Sequence, residues 1–556
     1  MGPALLVSSR GEQTRAIAKL AFGRMLQLLL SLLGHHIREY LSKAFLIFSI
    51  CLNVVFAQPQ IVQSQGVQSS AIELAQARDL LRQAYKNAPP SDEGGNTEAW
   101  LLADIAESFA DLGDVKEALS IAKAVRGEPK YDEKGRTLQR IVLAVDRSSG
   151  LEAASQLAEK IRTRELNRDK VFLELTEAHI RQGDLVGALR AADHISAASF
   201  LRNKAYAETG IAYAKAGDLK NSLHSVRFTE TSDVRAQILQ HVAIAQARVG
   251  KIDDAISKAT QIASLEHKVN ALCGIAVVQA KSGKRTAADD TFRIALKEIA
   301  PFEKEGQGSM AMVVVAAAKA KSGDFEGAKA IAEKIEDIHQ KDQARFRAVI
   351  EYAESGHPEE AWVAAKLIVN PYSTGEARAK VVRVVAQSGQ LHRAEVMVEE
   401  MVDHIYAPIA QYYIVAMQAK LGHFEEAEKM VGQVRDPYNQ AAARHALAMA
   451  YARAGKFEEA LDVVSLINDG YWSGNILRDI AAVQVERDGL TNVLKWIGDQ
   501  GSVNRSYALV GAAEGSVKCP SFSRRLRESF PRPRDCGIND CPFVEMLLSS
   551  EKFPQS

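Results

Sequence analysis

The chain is predicted to be all-α, built from helix-turn-helix units stacked in tandem, and three observations carry that expectation. A glycine recurs in one sequence context at Gly113, Gly150, Gly183, Gly217, Gly250, Gly283, Gly323, Gly356, Gly389, Gly422, Gly455 and Gly489; seven of the eleven intervals are 33 residues, two are 34, and the others are 37 and 40. Alanine stands five residues after the glycine at Ala118, Ala188, Ala255, Ala288, Ala328, Ala361, Ala394, Ala427 and Ala460, and three before it in nine units, from Ala110 to Ala452. Only 15 prolines are present and five of them fall in the last 41 residues, so the middle of the chain is almost free of helix breakers.

Residues 1–57 read as an N-terminal extension with a secretory signal. Ala44 to Ala57 is an uncharged apolar run ending in small residues before Gln58-Pro59, with Arg38 and Lys43 on its basic flank. The run is shorter than the roughly 20 residues that span a bilayer, so export with cleavage near Ala57 is expected, and an uncleaved membrane anchor is the alternative. The preceding 43 residues are long for a signal, which points to a start downstream of Met1, such as Met25, or to a genuine extension. Cys51 follows a bulky Ile50 and belongs to the apolar run, not to a lipoprotein signal.

Residues 58–96 are expected to be a flexible leader plus one helix. Gln58 to Ser70 is rich in Gln and Ser without a period, whereas Ile72, Leu74, Ala77, Leu80, Leu81 and Ala84 have helical spacing closed by Pro89-Pro90. The repeats occupy 97–515, about twelve of them. Each glycine ends a first helix, because it takes a left-handed conformation without a Cβ penalty. Asp114, Asp184, Asp218 and Asp324 follow it, placed to cap a second helix. An apolar residue twelve after the glycine (Val125, Ile195, Ile262, Ile335, Ile368, Met401, Val434, Ile467) gives each second helix a face that one helix pair cannot bury alone, so neighbours must stack.

The segment Ala448 to Ala460, with Ala448, Tyr451, Gly455, Phe457 and Ala460, resembles the tetratricopeptide repeat family, and the resemblance recurs from Gly113 to Gly489. It departs from the family where the early Trp of the first helix is replaced by Arg345, Arg378, Arg444 and Arg478, and where the closing Pro is absent or displaced. The resemblance implies an α-solenoid, a right-handed superhelix of helix pairs. It also implies a concave groove lined by first helices and a role in binding proteins or peptides.

Composition excludes several classes. Lys+Arg and Asp+Glu balance at 69 each, which argues against a nucleic-acid or membrane-surface binder driven by net charge. There is no Gly-rich phosphate loop, no His-Glu-x-x-His helix and no Cys-x-x-Cys pair, so no cofactor, metal or catalytic residue is expected. The 13 histidines lack ligand spacing, and His179, His241 and His445 fall within first helices as packed or solvated side chains. Glu425-Glu426 and Glu458-Glu459 begin second helices, where they complement the helix dipole.

Two basic series remain. Arg181, Lys215, Arg248, Lys281, Lys321, Lys420, Arg453 and Arg487 all stand two residues before the glycine, interrupted by Glu354 and Gln387. In the resemblance this position faces the groove. One reading is that these cations favour the negative end of the helix macrodipole; the other is a ladder for an acidic peptide or polyanion. Arg345, Arg378, Arg444 and Arg478, with Gln411 at the missing step, are expected to pack their stems between adjacent repeats.

Periodicity is lost in the tail, 516–556, which holds Cys519, Cys536 and Cys541 and a run of arginines. It is expected to be irregular, with a Cys536–Cys541 disulfide conceivable in an exported protein, and Cys273 is assigned to the core. The sequence as a whole points to an exported, non-catalytic scaffold that binds a protein or peptide. A pentatricopeptide-like RNA-binding array and an all-helical toroid enzyme are the alternatives.

Overall fold

The computed structural model describes residues 59–88, 95–126, 132–161, 166–302, 306–402 and 405–517, all of them helices and short connections, with no strand among the described residues. The expected signal, Cys51 and the cysteine-containing tail lie outside them. None of the described helices is long and apolar enough to cross a membrane. Met1–Glu73 and Leu74–Ser556 form separate units, the second of which holds the repeats.

Helix α1 (Pro59–Asn87) runs through the boundary between the units. It begins thirteen residues before the point where apolar spacing sets in, so Gln58 to Ser70, expected as a flexible leader, is helical from Pro59 onward. Proline is accepted at a first helical position, and glutamine is a good helix former, so polarity alone does not keep this stretch open.

The repeats then alternate. The first helices are α2 (Gly95–Asp111), α4 (Glu133–Ser149), α6 (Arg168–Gln182), α8 (Phe200–Lys215), α10 (Ser232–Arg248), α12 (Leu265–Lys281), α14 (Gly306–Lys321), α16 (Ile338–Glu354), α18 (Pro371–Gln387), α20 (Tyr406–Leu421), α22 (Pro437–Ala454) and α24 (Gly470–Asp488). The second helices, shorter for the most part, are α3 (Val115–Ala124), α5 (Leu151–Lys160), α7 (Leu185–Asp193), α9 (Leu219–Val226), α11 (Ile252–Thr260), α13 (Arg285–Ile299), α15 (Phe325–Glu333), α17 (Pro358–Ala364), α19 (Leu391–Glu399), α21 (Phe424–Gln433), α23 (Phe457–Ser465) and α25 (Leu490–Ile497). A further first helix, α26 (Ser502–Ser516), follows. Each first helix packs on its own second helix and on the next first helix.

The turns behave as the glycine spacing requires. All twelve repeat glycines have positive φ, between 77° and 101°. At Gly183 the amide donates to the Ile180 carbonyl at 3.0 Å, and the next amide, of Asp184, reaches back to the His179 carbonyl at 2.9 Å. The pair is a Schellman closure, repeated at Gly217, Gly323 and Gly455. Asp184, Asp218 and Asp324 then accept from the amides of Gly187, Asn221 and Gly327 at 2.9, 3.0 and 2.8 Å. Asp114 departs from this pattern. It makes no cap bond and instead faces Arg78 of α1 at 3.8 Å.

All nine alanines five after the glycine are buried, as are the eight apolar residues twelve after it. A helix pair brings its backbones close at those alanines, and neighbouring units share apolar clusters, the two larger ones centred on 236–344 and on the units to either side of it. The arginine series is used as linkage. Arg345 donates to the Leu367 carbonyl at 2.7 Å and pairs with Glu333 of the preceding unit at 2.7 Å; Arg444 donates to the Leu466 carbonyl at 2.6 Å; Arg378 lies 5.0 Å from the ring centre of Trp362.

A second linkage carried no signal in the sequence pattern. Asp342 accepts from the amides of Val369 and Asn370, Asp169 from that of Ser196, and Asn203 from that of Glu230. In each case a side chain fourteen before the glycine holds the connection that leads into the next unit.

The two ends of the array meet. α26 packs against α24 and also against α2. Arg478 of α24, essentially unexposed, pairs with Asp104 of α2 at 2.8 Å and with Glu514 of α26, and the Ser108 hydroxyl donates to Glu514 at 2.9 Å. Burial by itself lowers the basicity of Arg478, but the Asp104 and Glu514 carboxylates outweigh it and hold its pKa above the ordinary arginine value. One core cluster contains both Ile105 and Phe109 of α2 and Ile476, Ile480 and Leu509 from the other end.

Candidate functional site

A cavity of about 880 Å³ opens on the first helices from α10 to α18. Most of its lining stands two, five, six or nine residues before the repeat glycine, positions that share one face of a helix at 3.6 residues per turn. Because consecutive units repeat that register, five helices present the same face side by side.

Its lining divides into two parts. Ile244, Val277, Val278, Val314 and Ile350 form an apolar floor. Gly274 belongs to that floor because a Cβ there would come within 2.5 Å of the Ile244 side chain. Around the floor stand five cations, Arg248, Lys281, Lys321, Arg347 and Lys380, against one carboxylate, Glu351.

Two of the cations are neutralised locally. Lys321 reaches Glu351 at 2.9 Å, and Lys380 reaches Glu376 at 2.6 Å while lying 4.6 Å from the ring centre of Phe346. Arg248, Lys281 and Arg347 have no carboxylate within ion-pair distance among the described residues. Burial, then the Lys215 and Arg248 cations, push the His241 imidazole down to about 4, so it is neutral at pH 7. Cys273 also borders the cavity, but burial raises its thiol to about 12 and keeps it protonated and unreactive.

All eight members of the basic series are exposed, each in the last turn of its first helix or beside it. The structure brings Arg248, Lys281 and Lys321 into the cavity and leaves Arg181, Lys215, Lys420, Arg453 and Arg487 outside it. Arg487 lies 6.0 Å from the ring centre of Phe457 and 3.6 Å from Asp488. Glu354, which interrupts the series, pairs with Arg383 at 3.0 Å.

Arg347 and Lys380 were not singled out by sequence reasoning. Both stand nine before their glycine, and a comparison of that position across units is the signal that finds them. Among the described residues no group of three His, Cys, Asp or Glu side chains has the geometry of a metal site.

No family model matches the chain, and no curated protein matches it. Among the solved structures similar to it in part are the following two. Ton1535 from Thermococcus onnurineus NA1 is 16% identical over 67% of this chain and 97% of that one, with a TM-score of 0.20. A circular tandem repeat protein with novel repeat topology and enhanced subunit contact surfaces is 15% identical over 87% of this chain and 99% of that one, with a TM-score of 0.13. At these scores neither likeness bears on fold or function. The class that the chain itself defines is an all-helical repeat protein with a cationic, apolar-floored cavity on its first-helix face.

Proposed function

We propose that the chain is a non-catalytic binding scaffold, an α-solenoid of the right-handed tetratricopeptide-like kind. Its first-helix face takes up an acidic segment of another polypeptide. The observation that carries this reading is the cavity with three unpaired cations over an apolar floor. Carboxylates of a partner satisfy Arg248, Lys281 and Arg347 through charge-assisted hydrogen bonds, and an apolar side chain between them covers Val277, Val314 and Ile350.

A polypeptide fits this surface better than a nucleic acid. Single-stranded nucleic acid is bound by basic grooves that also offer aromatic rings for base stacking. Here the one aromatic residue of the lining, Phe346, is already covered by Lys380. The chain's net charge of zero also gives no long-range pull on a polyanion.

The test is fluorescence anisotropy with a labelled peptide in which glutamates alternate with leucine and phenylalanine, its lysine counterpart as control, and single-stranded RNA as competitor. The acidic peptide is expected to bind in a salt-sensitive way, and Lys281→Glu with Lys321→Glu to weaken it by roughly tenfold or more. Unaltered peptide binding in that double variant, with only a small stability loss, would return the basic series to its helix-dipole role. RNA binding tighter than peptide binding would replace the polypeptide reading.

A further inference from the structure

The array itself spaces the cations that border the cavity. Arg248, Lys281 and Lys321 stand two residues before the glycine on α10, α12 and α14, three successive first helices that pack side by side. Packed helices lie about 8–10 Å apart. They are also staggered. Lys321 of α14 meets Glu351 of α16 at 2.9 Å, and a Cβ on Gly274 of α12 would meet Ile244 of α10 at 2.5 Å. In both pairs the later helix contributes a residue three places earlier in its unit. Three residues of helix rise about 4.5 Å, so the cation stems leave their helices about 9–11 Å apart.

That spacing discriminates between chain conformations. In an extended strand the side chains of one face recur at about 6.8 or 13.6 Å, which misses the cations on either side. A polyproline II segment has three residues per turn and rises about 3.1 Å per residue, so every third side chain falls on one edge, about 9.3 Å from the last. An α-helix covers about 10.5 Å in seven residues, so it needs about fifteen to pass three cations where polyproline II needs about seven. A cavity of about 880 Å³ favours the slimmer chain.

The surroundings of the cation line fit the other edges of such a segment. The floor residues Val277, Val314 and Ile350, six or nine before their glycines, run along one side of it. On α16 the line meets Glu354, already paired with Arg383 at 3.0 Å, so the run of cations stops after Lys321. Glu351 accepts from the Lys321 ammonium at 3.0 and 2.9 Å, which leaves one of its three protons for a further acceptor. Arg347, seven residues before Glu354, stands two turns off the line on the floor side.

We infer that the cavity takes a polyproline II segment with an acidic residue at every third position, an assignment that rests on the binding role proposed above. Carboxylates at i, i+3 and i+6 face Arg248, Lys281 and Lys321. Apolar residues on a second edge cover the floor, where Arg347 takes a carboxylate from the same side, and the third edge faces water. Prolines among the neutral residues hold the segment in its bound form and lower the cost of ordering it.

Three labelled peptides of equal charge, titrated against the full chain by fluorescence anisotropy, test this. The first repeats Glu-Leu-Pro four times. The second rearranges the same residues so that the glutamates fall at every second position, and the third places glutamates seven apart in an alanine-leucine helix. The first is expected to bind at least tenfold tighter than either control, and Lys281→Met to shrink that preference. Equal affinities for the three would overturn the register and leave the acidic-segment reading standing. Tightest binding of the third would make an α-helix the occupant. Binding of none would remove the reading itself and the register with it, and a preference undiminished in Lys281→Met would count against the cation line.

Discussion

The guanidinium of Arg478 lies 2.8 Å from the carboxylate of Asp104, a contact between the twelfth glycine-marked unit and the first. Its sequence position is that of Arg345 and Arg444, which hold the Leu367 and Leu466 carbonyls at the ends of their own units' second helices, Arg345 also reaching Glu333 of the preceding unit. The same side chain therefore does different work at the seam, because the neighbour it meets there is the start of the array and brings Asp104 and Ser108 with it.

Arg478→Met is expected to cost about 3–5 kcal/mol in urea denaturation, because it strands the buried Glu514 carboxylate and leaves Asp104 with Arg140 as its remaining cation. Adding Asp104→Asn and Glu514→Gln to the same chain should recover part of the loss. A cost below about 1 kcal/mol would place the contact with ordinary surface pairs and contradict its burial.

Two glycines should respond differently to a single methyl group. Gly217 has φ +85° and open space around it, so Gly217→Ala is expected to cost only the left-handed backbone penalty, about 1–2 kcal/mol. Gly511 has no such φ, but a Cβ there meets the α24 backbone, which has no rotamer to yield. Gly511→Ala should lower the melting temperature more than Gly217→Ala does, and the reverse order would rule out the close approach of α24 and α26.

His179 links two units, with Nε2 3.2 Å from Asp146 and Nδ1 2.9 Å from Asp184. The hydrogen bond with Asp146 raises its pKa above 6.5, burial opposes the rise, and Asp184 adds to it. The stabilisation is fully present below the unfolded value of about 6.5 and is lost as pH rises through the folded value. Melting temperatures of His179→Gln should fall furthest behind those of the parent chain at low pH and approach them at high pH. A deficit that widens with pH would contradict the assignment.

Within the proposed binding function, the cavity and the basic series make separable demands. Arg347→Ala should weaken the acidic peptide by roughly tenfold, as expected for a lost hydrogen bond to a charged group. Arg487→Ala, outside the cavity, should leave its affinity unchanged. Equal losses in titrations of the two variants would favour a ladder along the whole array over a localised site.

The repeat turns were legible in the sequence because they are local. A positive φ can be inferred from glycine alone, and the capping Asp184, Asp218 and Asp324 lie one residue away from it. Asp114 broke the rule because Arg78 sits beside it, which a pattern within one unit does not register. The cavity was half legible: position two before the glycine revealed Arg248, Lys281 and Lys321, but Arg347 and Lys380 occupy a position that varies from His241 to Gly274 to Val314. Conserved chemistry at one register site is visible as a period, whereas a surface formed by different residues at one site appears only when the helices are side by side.

Residue order by itself determined the helical class, the length of each unit, the glycine-closed turns and the alanine contacts, since these depend on conformational preference and spacing within some thirty residues of chain. Tertiary structure alone decided that α26 meets α2, that Arg478 becomes a buried seam residue, and that three cations converge without carboxylate partners. Those outcomes depend on which helices from separate units come to lie side by side, and the conformational preferences within one unit do not specify that.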